Sequence, residues 1–423
     1  MLDKIDVLFV HSRNFQNARS YLKLPSIELT YMSAILNNAG YTDYLMDCNI
    51  DDIDESFTKL APDINPSVVL VYGGEHNHIN VLDNIKKLRE IYPKAKIGVC
   101  GIMVSFLAER LMNQLQELDF VVLKTGDYVV RDLLDNNFDY EFVSGIVYRD
   151  DASLKKNIPQ SYSLNDLPLP NRSLYDAEKY LKYSPETIVR SSRGCPSNCY
   201  FCNKTVFEKF SNFSMEHFFS EIDDLLNLGY ETFFFADDTF AYSDKRLKEF
   251  CDYYSKNSYK FRWASNLRVS DVTPDRLKNI RNHGGYRVFV GMETINMSSN
   301  KLMNKVQNNK DYHEVVELIK ENDLELHASF IIGNPGDTLK DLETTSQFIC
   351  ETKPDVVSFN TLKLFPGTKI FDNPEIFGII PEDKFWFENP EWVERTLIGT
   401  NELTPAEIDK QAIKMKSEYY LSL

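Results

Sequence analysis

The chain has 423 residues, a length that predicts two or three domains rather than one core. Its hydrophobic fraction of 43% and charged fraction of 26% are typical of an ordinary globular protein. The formal net charge of −16 disfavours a nucleic-acid-binding role, which needs clustered Lys and Arg against phosphates. For the same reason it disfavours docking on anionic lipid through a basic patch.

Three features of the sequence bear on the compartment. The first ten residues, MLDKIDVLFV, place acids beside an apolar run and offer no small-residue cleavage site, so no signal peptide is expected. Apolar stretches stay below the roughly 18 residues of a membrane span. The seven cysteines are an odd number and are mostly scattered, which favours thiols in a reducing compartment over a disulfide scaffold. We therefore expect a cytoplasmic protein.

The first 150 residues alternate short β-rich runs with helical patterns. The predicted strands cover residues 4–12, 42–48, 67–74, 96–101 and 119–126. The predicted helices cover residues 26–40, 80–92 and 106–118. This alternation predicts an α/β fold with a Rossmann-like, doubly wound parallel sheet over residues 1–150, and residues 141–151 are expected to form a hairpin at its edge.

Residues 151–185 are predicted to be a linker, because Pro168 and Pro170 suppress regular structure there. A second alternating series follows. Its predicted strands cover residues 186–192, 232–238, 260–267, 286–293, 325–333 and 356–365. Its predicted helices cover residues 214–229, 243–256, 273–284, 311–323 and 338–352.

Six β/α units predict a partial TIM-type (β/α)6 barrel over residues 186–370, with active residues at the carboxyl ends of its strands. Residues 371–423 are then a C-terminal extension with a final helix near 404–421.

Three cysteines stand in the segment RSSRGCPSNCYFCNK, which leaves the first barrel strand. Cys195, Cys199 and Cys202 can converge on one metal centre, since thiolates are the ligands that iron–sulfur clusters and zinc select. A structural zinc site normally has four protein ligands, and His217 and Cys251 lie in predicted helices. Three cysteines on a four-iron cluster leave one iron open for a substrate. The chemistry favours the cluster and leaves zinc as the alternative.

The segment RGCPSNCYFC resembles the Cys-x3-Cys-x2-Cys signature of the radical S-adenosylmethionine superfamily, including Phe201 before the last cysteine. Four further segments occur in the order of the family's other motifs: FFFADDTF (233–240), GMET (291–294), FIIGNPGDT (330–338) and LKLFPGT (362–368). Turn chemistry and core packing account for any one of these alone, but the ordered set is specific. Two positions depart from the family pattern, since Thr294 replaces the usual Ser and Asp337 the usual Glu.

The resemblance implies a role for each matching residue. Cys195, Cys199 and Cys202 would be the ligands of a 4Fe-4S cluster, and Phe201 would lie near the adenine of S-adenosylmethionine. Glu293 matches a position that contacts the ribose or methionine part of this cofactor.

The remaining motif residues come from other strand ends. Ile331 to Gly333 match the segment against which the adenine packs. Asp237 and Asp238 would face the cluster side, and Asn266 and Arg268 would meet the methionine carboxylate. A surface ion pair or a helix cap is the alternative role for these acids and for Arg268.

The first domain resembles the cobalamin-binding domain of one large radical S-adenosylmethionine subfamily, which includes the class B methyltransferases. The matching segments are PSIELTYMSAILNNAGY (25–41), VCGIMVS (99–105), KTGD (124–127) and LNDLPLPNR (164–172). Gly101 and Ser105 fall where the family has Gly-Gly-x-x-x-Ser/Thr, with Cys100 in place of the first Gly. An Asp-x-His-x-x-Gly motif is absent, so no lower cobalt ligand is offered. His76 and His78 could touch the cofactor or belong to an ordinary loop.

The resemblance implies an enzyme that reductively cleaves S-adenosylmethionine to a 5′-deoxyadenosyl radical. With cobalamin, it would methylate an unactivated carbon of a small-molecule or natural-product substrate. The alternative outcomes are a rearrangement, cyclisation, decarboxylation or dehydrogenation without methyl transfer. A flavodoxin or ferredoxin would be the transient reductant. From a different class of function, a zinc-binding structural or sensor protein remains as the alternative to an enzyme.

Overall fold

The computed structural model describes residues 5–13, 23–51, 57, 64–73, 78–151, 153–204, 209–305 and 311–423. The chain divides into two compact units. The first comprises Met1–Thr187 with Phe219–Tyr230, and the second Ile188–Phe218 with Glu231–Leu423. The predicted linker 151–185 falls inside the first unit. Within the described ranges no helix has both the length and the apolar character needed to cross a bilayer.

A seven-stranded sheet forms the first unit. Its strands are β1 (Val7–His11), β2 (Asp43–Asp47), β3 (Val68–Tyr72), β4 (Lys96–Cys100), β5 (Phe120–Val122), β6 (Ile146–Asp150) and β7 (Ser153–Asn157). The order is β2-β1-β3-β4-β5-β6-β7, and all pairs from β2 to β5 are parallel. The predicted doubly wound parallel sheet is confirmed, and its strand order reverses between β1 and β3.

Among the described residues, six helices accompany this sheet. They are α1 (Ile27–Asn38), α2 (His78–Ile91), α3 (Ile102–Phe106), α4 (Ala108–Gln114), α5 (Val129–Asp135) and α6 (Ala177–Leu181). Helix α1 begins where the Ser26 hydroxyl accepts a hydrogen bond from the Leu29 N–H, and it ends before Gly40, whose φ is +84°. The helix predicted over 106–118 is the shorter α4, and the separate helix α3 precedes it across Leu107.

The edge hairpin lies further along the chain than predicted. It pairs β6 with β7 in antiparallel register, so residues 141–145 precede it instead of forming its first strand. Strand β7, with the sequence SLKKN, is mostly exposed. Such an edge strand needs no apolar alternation, and its lysines discourage further pairing, which is why the hydrophobic pattern missed it.

The second sheet has six strands. They are β8 (Glu186–Val189), β11 (Thr232–Phe235), β12 (Arg262–Arg268), β13 (Gly285–Glu293), β14 (Glu325–Ile332) and β15 (Val356–Thr361). They follow one another in chain order, and the pairs from β11 to β15 are parallel. This is the predicted partial TIM-type barrel. Two small antiparallel pairs complete the strands: β9 (Ser192–Arg193) with β10 (Ser211–Asn212), and β16 (Ile379–Pro381) with β17 (Ile398–Thr400).

In the described part of the second half of the chain, eight helices follow the barrel strands or lie in the C-terminal segment. They are α7 (Met215–Asn227), α8 (Asp244–Lys256), α9 (Pro274–Asn282), α10 (Met297–Leu302), α11 (Tyr312–Glu321), α12 (Leu339–Thr352), α13 (Lys369–Asp372) and α14 (Pro405–Ser422). Short 3-10 turns cover Tyr140–Phe142, Leu164–Asp166, Arg172–Leu174, Val269–Asp271, Pro374–Phe377, Trp386–Glu388 and Pro390–Val393. The predicted final helix near 404–421 is α14.

Aromatic side chains build the core behind the barrel strands. Phe235 stacks on Trp263 with ring centroids 4.7 Å apart, and Phe240 and Phe250 pack against the same indole. All four side chains are fully buried. Buried aromatic area of this size fixes the strands firmly, so the loops at their carboxyl ends are held on a rigid support.

Candidate active site

The cysteine loop follows β8. Cys195, Cys199 and Cys202 are partly exposed thiols, whereas Cys48, Cys100 and Cys251 are buried. Burial raises the pKa of Cys199 to about 11; the charges of Cys202 and Cys195 add to this rise, and that of Lys305 opposes it. The three loop cysteines therefore share one electrostatic environment.

The donor chemistry of this loop fits an iron–sulfur cluster. Within the described part of the chain, no group of three or more His, Cys, Asp or Glu side chains is arranged to hold a single metal ion. A 4Fe-4S cluster is bound at separate iron atoms, so its thiolates need not meet at one point. Gly194, with φ of +74°, turns the backbone immediately before Cys195.

Asp237 is fully buried after β11 and anchors the backbone that leads into the cysteine loop. Its carboxylate accepts hydrogen bonds from the Ser191 N–H at 3.3 Å, the Ser191 hydroxyl at 3.1 Å and the Ser192 hydroxyl at 2.5 Å. Burial raises its pKa to about 6, although these hydrogen bonds oppose the rise. Both carboxylate oxygens are thus bonded to the segment before the loop.

Asp238 and Asn266 lie beside this anchor. Asp238 forms an ion pair with Lys204, two residues after the last cysteine, at 3.2 Å. The Asn266 side chain donates to the Asp237 backbone carbonyl at 2.8 Å, and the Asn266 backbone carbonyl accepts from the Phe240 N–H. Both predicted site residues therefore stand at the strand ends that surround the cysteine loop.

Arg268 reaches the cysteine loop from the end of β12. Two of its nitrogens bond the Asp271 carboxylate, at 2.8 and 2.7 Å, and its Nη1 lies 3.5 Å from the Ser197 hydroxyl. The hydrogen bond with Asp271 raises the pKa of Arg268. The bidentate pair fixes the guanidinium plane, so one edge is held by Asp271 and the other faces the loop.

Glu293 ends β13 in the left-handed backbone region, with φ of +61°. Its Oε1 accepts a hydrogen bond from the Lys305 Nζ at 2.8 Å, and both side chains are nearly buried. The Lys305 Nζ also lies 5.9 Å from the centre of the Phe201 ring. Lys305 was missed in the sequence because it follows the short helix α10 and belongs to none of the recognised motifs.

Ile331 and Gly333 stand at the end of β14. The Ile331 carbonyl accepts from the Asn334 side chain at 2.7 Å. Gly333 has φ of +86°, and a Cβ there would come within 2.5 Å of the Ile408 side chain on α14. Gly333 thus lies against the C-terminal helix, where a side chain would press on Ile408, and the motif alone did not indicate this contact.

Asp337 joins the ends of β13 and β14. Its carboxylate accepts from the Thr294 hydroxyl at 3.4 Å and from the Asn334 side chain at 3.3 Å. Burial raises its pKa to about 7 against these hydrogen bonds. The two positions that depart from the family pattern, Thr294 and Asp337, are therefore bonded to each other.

In the first unit, Gly101 and Ser105 lie after β4. Gly101 has φ of +132°, and a Cβ there would come within 1.8 Å of the Gly73 carbonyl oxygen at the end of β3. The Ser105 hydroxyl accepts from the Lys124 N–H at 2.8 Å. The ends of β3 and β4 thus pack backbone against backbone, beside the switch point between β1 and β3.

Two histidines were considered for this crevice. His76 lies outside the described residues, and His78 is the buried first residue of α2. A third, His11, was not singled out from the sequence. It ends β1 beside the switch point, with Nδ1 3.1 Å from the Tyr175 hydroxyl, and burial lowers its pKa to about 4.

Two family models match the chain. The radical SAM superfamily model covers residues 189–349, and the B12 binding domain model covers residues 15–134. The chain thus carries a radical SAM domain and, before it, a B12-binding domain. A radical SAM domain implies a 4Fe-4S cluster and S-adenosylmethionine, and a B12-binding domain implies cobalamin. The family predicted from the ordered motifs is confirmed.

Curated relatives and a solved structure resemble this radical SAM protein. An uncharacterized methyltransferase of Pyrococcus horikoshii is 24% identical over 74% of this chain and 64% of its own length. The anaerobic magnesium-protoporphyrin IX monomethyl ester cyclase of Cereibacter sphaeroides is 25% identical over 88% of this chain and 64% of its own length. The chain therefore spans just under two thirds of either relative.

The structural comparison concerns the fold. The radical S-adenosylmethionine methyltransferase TsrM from Kitasatospora setae, solved with cobalamin and a 4Fe-4S cluster, superimposes with a TM-score of 0.79. The match covers 99% of this chain and 89% of that one at 12% sequence identity. At this identity the likeness establishes a shared architecture, and roles of single residues need their own evidence.

Proposed function

We propose that this radical SAM protein is an enzyme that reductively cleaves S-adenosylmethionine and, with cobalamin, methylates an unactivated carbon of a small molecule. The observation that carries the proposal is the cysteine loop itself. Its three partly exposed thiols share one electrostatic environment and lie within reach of the cations Arg268 and Lys305. When bound, the cluster would supply an electron to S-adenosylmethionine, and cobalamin would supply the methyl group.

The cations and carboxylates around the loop suit the methionine end of S-adenosylmethionine. The edge of the Arg268 guanidinium that faces the loop and the Asn266 amide would bind its carboxylate. Glu293, held by Lys305, would bind the amino group or the ribose hydroxyls. These assignments use groups that the barrel holds rigidly, which preorganises them for a charged ligand.

Apolar and backbone groups would receive the adenine. Phe201 precedes the last cysteine and offers a ring face, while Ile331 and the residues up to Gly333 offer the end of β14. Asp237 and Asp238 have a different role in this proposal. They position the loop, since Asp237 bonds Ser191 and Ser192 and Asp238 pairs with Lys204.

Cobalamin would lie on the first unit, at the switch point of the seven-stranded sheet. Gly101 supports this placement, because it matches a position of the family's Gly-Gly-x-x-x-Ser/Thr segment and packs against the Gly73 carbonyl beside the switch point. Ser105 would then act mainly by fixing the loop at Lys124. We assign residues 1–150, together with the edge strand β7, to this cobalamin-binding domain and the rest of 151–185 to a linker. Residues 186–370 would form the catalytic half-barrel and residues 371–423 an extension.

The substrate class is a small metabolite or a natural-product intermediate. In one solved structure TsrM holds tryptophan and an S-adenosylmethionine analogue, an example of a small substrate on this architecture. The cyclase named among the relatives keeps open the second candidate, a radical reaction without methyl transfer. A flavodoxin or ferredoxin would donate the electron in either case.

Mass spectrometry of an anaerobic turnover separates the two candidates. The reconstituted protein is incubated with S-adenosylmethionine, a reductant and cell extract. Methyl transfer predicts 5′-deoxyadenosine together with S-adenosylhomocysteine and a product heavier by one methylene group. Formation of 5′-deoxyadenosine without S-adenosylhomocysteine, in a protein that binds no corrinoid, would contradict methyl transfer and support the second candidate.

A further inference from the structure

Lys305 forms a nearly buried ion pair beside the cysteine loop. Its side chain and that of Glu293 are 13% and 12% exposed, and their charged atoms are 2.8 Å apart. Burying a lysine is costly unless a carboxylate compensates its charge. Because both charges are largely removed from water, each depends on the other, unlike the charges of the exposed ion pairs on the helices.

Two features of β13 accompany this ion pair: a glycine beside the charged atoms and an unusual backbone conformation at Glu293. A Cβ at Gly291 would lie 2.4 Å from the Glu293 Oε1 and 3.1 Å from the Lys305 Nζ. A side chain at position 291 would therefore press on the ends of both charged side chains and displace them. Glu293 itself adopts φ of +61°, a conformation that L residues other than Asn and Asp rarely take.

The segment that carries Lys305 is bonded directly to the cysteine loop. The Tyr200 N–H donates to the Met303 carbonyl at 3.0 Å, and the Asn304 side chain donates to the Asn198 carbonyl at 2.6 Å. Lys305 thus lies where the loop and the end of β13 meet. Its charge acts on Cys199 and Cys202 as well as on Glu293.

We propose that Lys305 is a positioning residue of the S-adenosylmethionine site that holds the Glu293 carboxylate for the ligand and places a positive charge beside the cluster thiolates. The inference rests on the proposed function, because it requires a cluster on the three cysteines. A fixed positive charge stabilises the reduced, more negative form of a cluster and so raises its reduction potential.

The test compares Lys305→Met and Lys305→Arg with Lys301→Met in the full-length, anaerobically reconstituted protein. Lys301 is an exposed lysine on α10, so its replacement removes the same charge outside the site. Three quantities are measured: iron and sulfide content, the midpoint potential from a titration followed by electron paramagnetic resonance, and the dissociation constant for S-adenosylmethionine.

We expect Lys305→Met to retain its cluster, to show a more negative midpoint potential and to bind S-adenosylmethionine about tenfold more weakly, the effect of one charge-assisted hydrogen bond. Lys305→Arg keeps the charge and should restore the potential. Lys301→Met should match the wild type in all three quantities. Equal potentials and equal affinities in Lys305→Met and Lys301→Met would overturn the inference.

The single variant Lys305→Met leaves the Glu293 carboxylate buried without its lysine and could misfold. The double variant Glu293→Gln/Lys305→Met removes both charges, so it keeps the test usable. If Lys305 acts through Glu293, the double variant binds S-adenosylmethionine no more weakly than Glu293→Gln alone. Additive losses would show that Lys305 does not act through Glu293 and would overturn the positioning role. Failure of the proposed function would be visible separately, as a wild-type protein that assembles no cluster.

Discussion

The carboxyl ends of the parallel strands are built differently in the two sheets. At the ends of β3 and β4, backbone meets backbone, since Gly101 leaves no space for a Cβ against the Gly73 carbonyl. At the ends of β11, β13 and β14, buried carboxylates meet hydroxyls and amides, as at Asp237 and Asp337. One region is shaped by missing side chains and the other by bonded ones.

The difference teaches what each edge can accept. An edge without side chains offers a flat surface to a large planar cofactor and makes few directional bonds with it. An edge of fixed polar groups orients a small charged ligand and a metal-binding loop. The comparison predicts that steric changes damage the first region, whereas removal of hydrogen-bond acceptors damages the second.

The largest expected effect is that of Gly101→Ala. The new methyl group would overlap the Gly73 carbonyl at a φ of +132°, so we expect local stability to fall by about 4 kcal/mol. The matched control is Gly40→Ala, which has φ of +84° but open space around it and should cost about 1 kcal/mol. Hydrogen exchange of the β3 and β4 amides measures both. Equal protection in the two variants would contradict a steric origin.

Asp237→Ala should have the next largest effect. It leaves the buried donors of Ser191 and Ser192 without their acceptor, at a cost of about 3 kcal/mol, and it loosens the entry to the cysteine loop. Asp238→Ala removes only an ion pair with the half-exposed Lys204 and should cost less than about 1 kcal/mol. Exchange of the β8 and β11 amides distinguishes the two. A larger loss of stability in Asp238→Ala than in Asp237→Ala would contradict the conclusion that Asp237 is the main anchor of the cysteine loop.

These contacts mark the limit of what the sequence predicted. The sequence pattern located every barrel strand to within a few residues, because strands such as β13 and β14 alternate buried and partly exposed side chains. The cysteine spacing and the ordered motifs located the candidate site. The sequence did not predict a role for Lys305, because it lies twelve residues after its partner Glu293 and no local pattern links the two. Gly333 was assigned to the adenine, while the structure adds its contact with Ile408, a residue of the last helix.

Asp337→Asn should have the smallest effect, and one that depends on pH. Burial raises the folded-state pKa of Asp337 to about 7, so its protonated form is favoured in the folded protein. The stability from this group is present at low pH and is lost as the pH rises through 7. Asparagine cannot ionise. The free energy of unfolding of the variant, relative to that of the wild type, should therefore rise by on the order of 2 kcal/mol between pH 5 and pH 8.

Denaturation or exchange at several pH values measures this gain. The exposed Asp275→Asn variant serves as the control for removal of one negative charge. A difference between Asp337→Asn and wild type that stays constant from pH 5 to pH 8 would show that Asp337 is ionised throughout. Another group would then have to stabilise the buried negative charge of Asp337 at the end of β14.

The central claim is that the three loop cysteines hold the cluster at which S-adenosylmethionine is cleaved. Its most direct test is the iron and sulfide content of the anaerobically reconstituted wild type beside the Cys195→Ala/Cys199→Ala/Cys202→Ala triple variant, with 5′-deoxyadenosine assayed in both. We predict about four iron and four sulfide per wild-type chain, and neither cluster nor deoxyadenosine in a triple variant that stays folded. Stoichiometric zinc without iron in the wild type, or deoxyadenosine from the triple variant, would contradict the account.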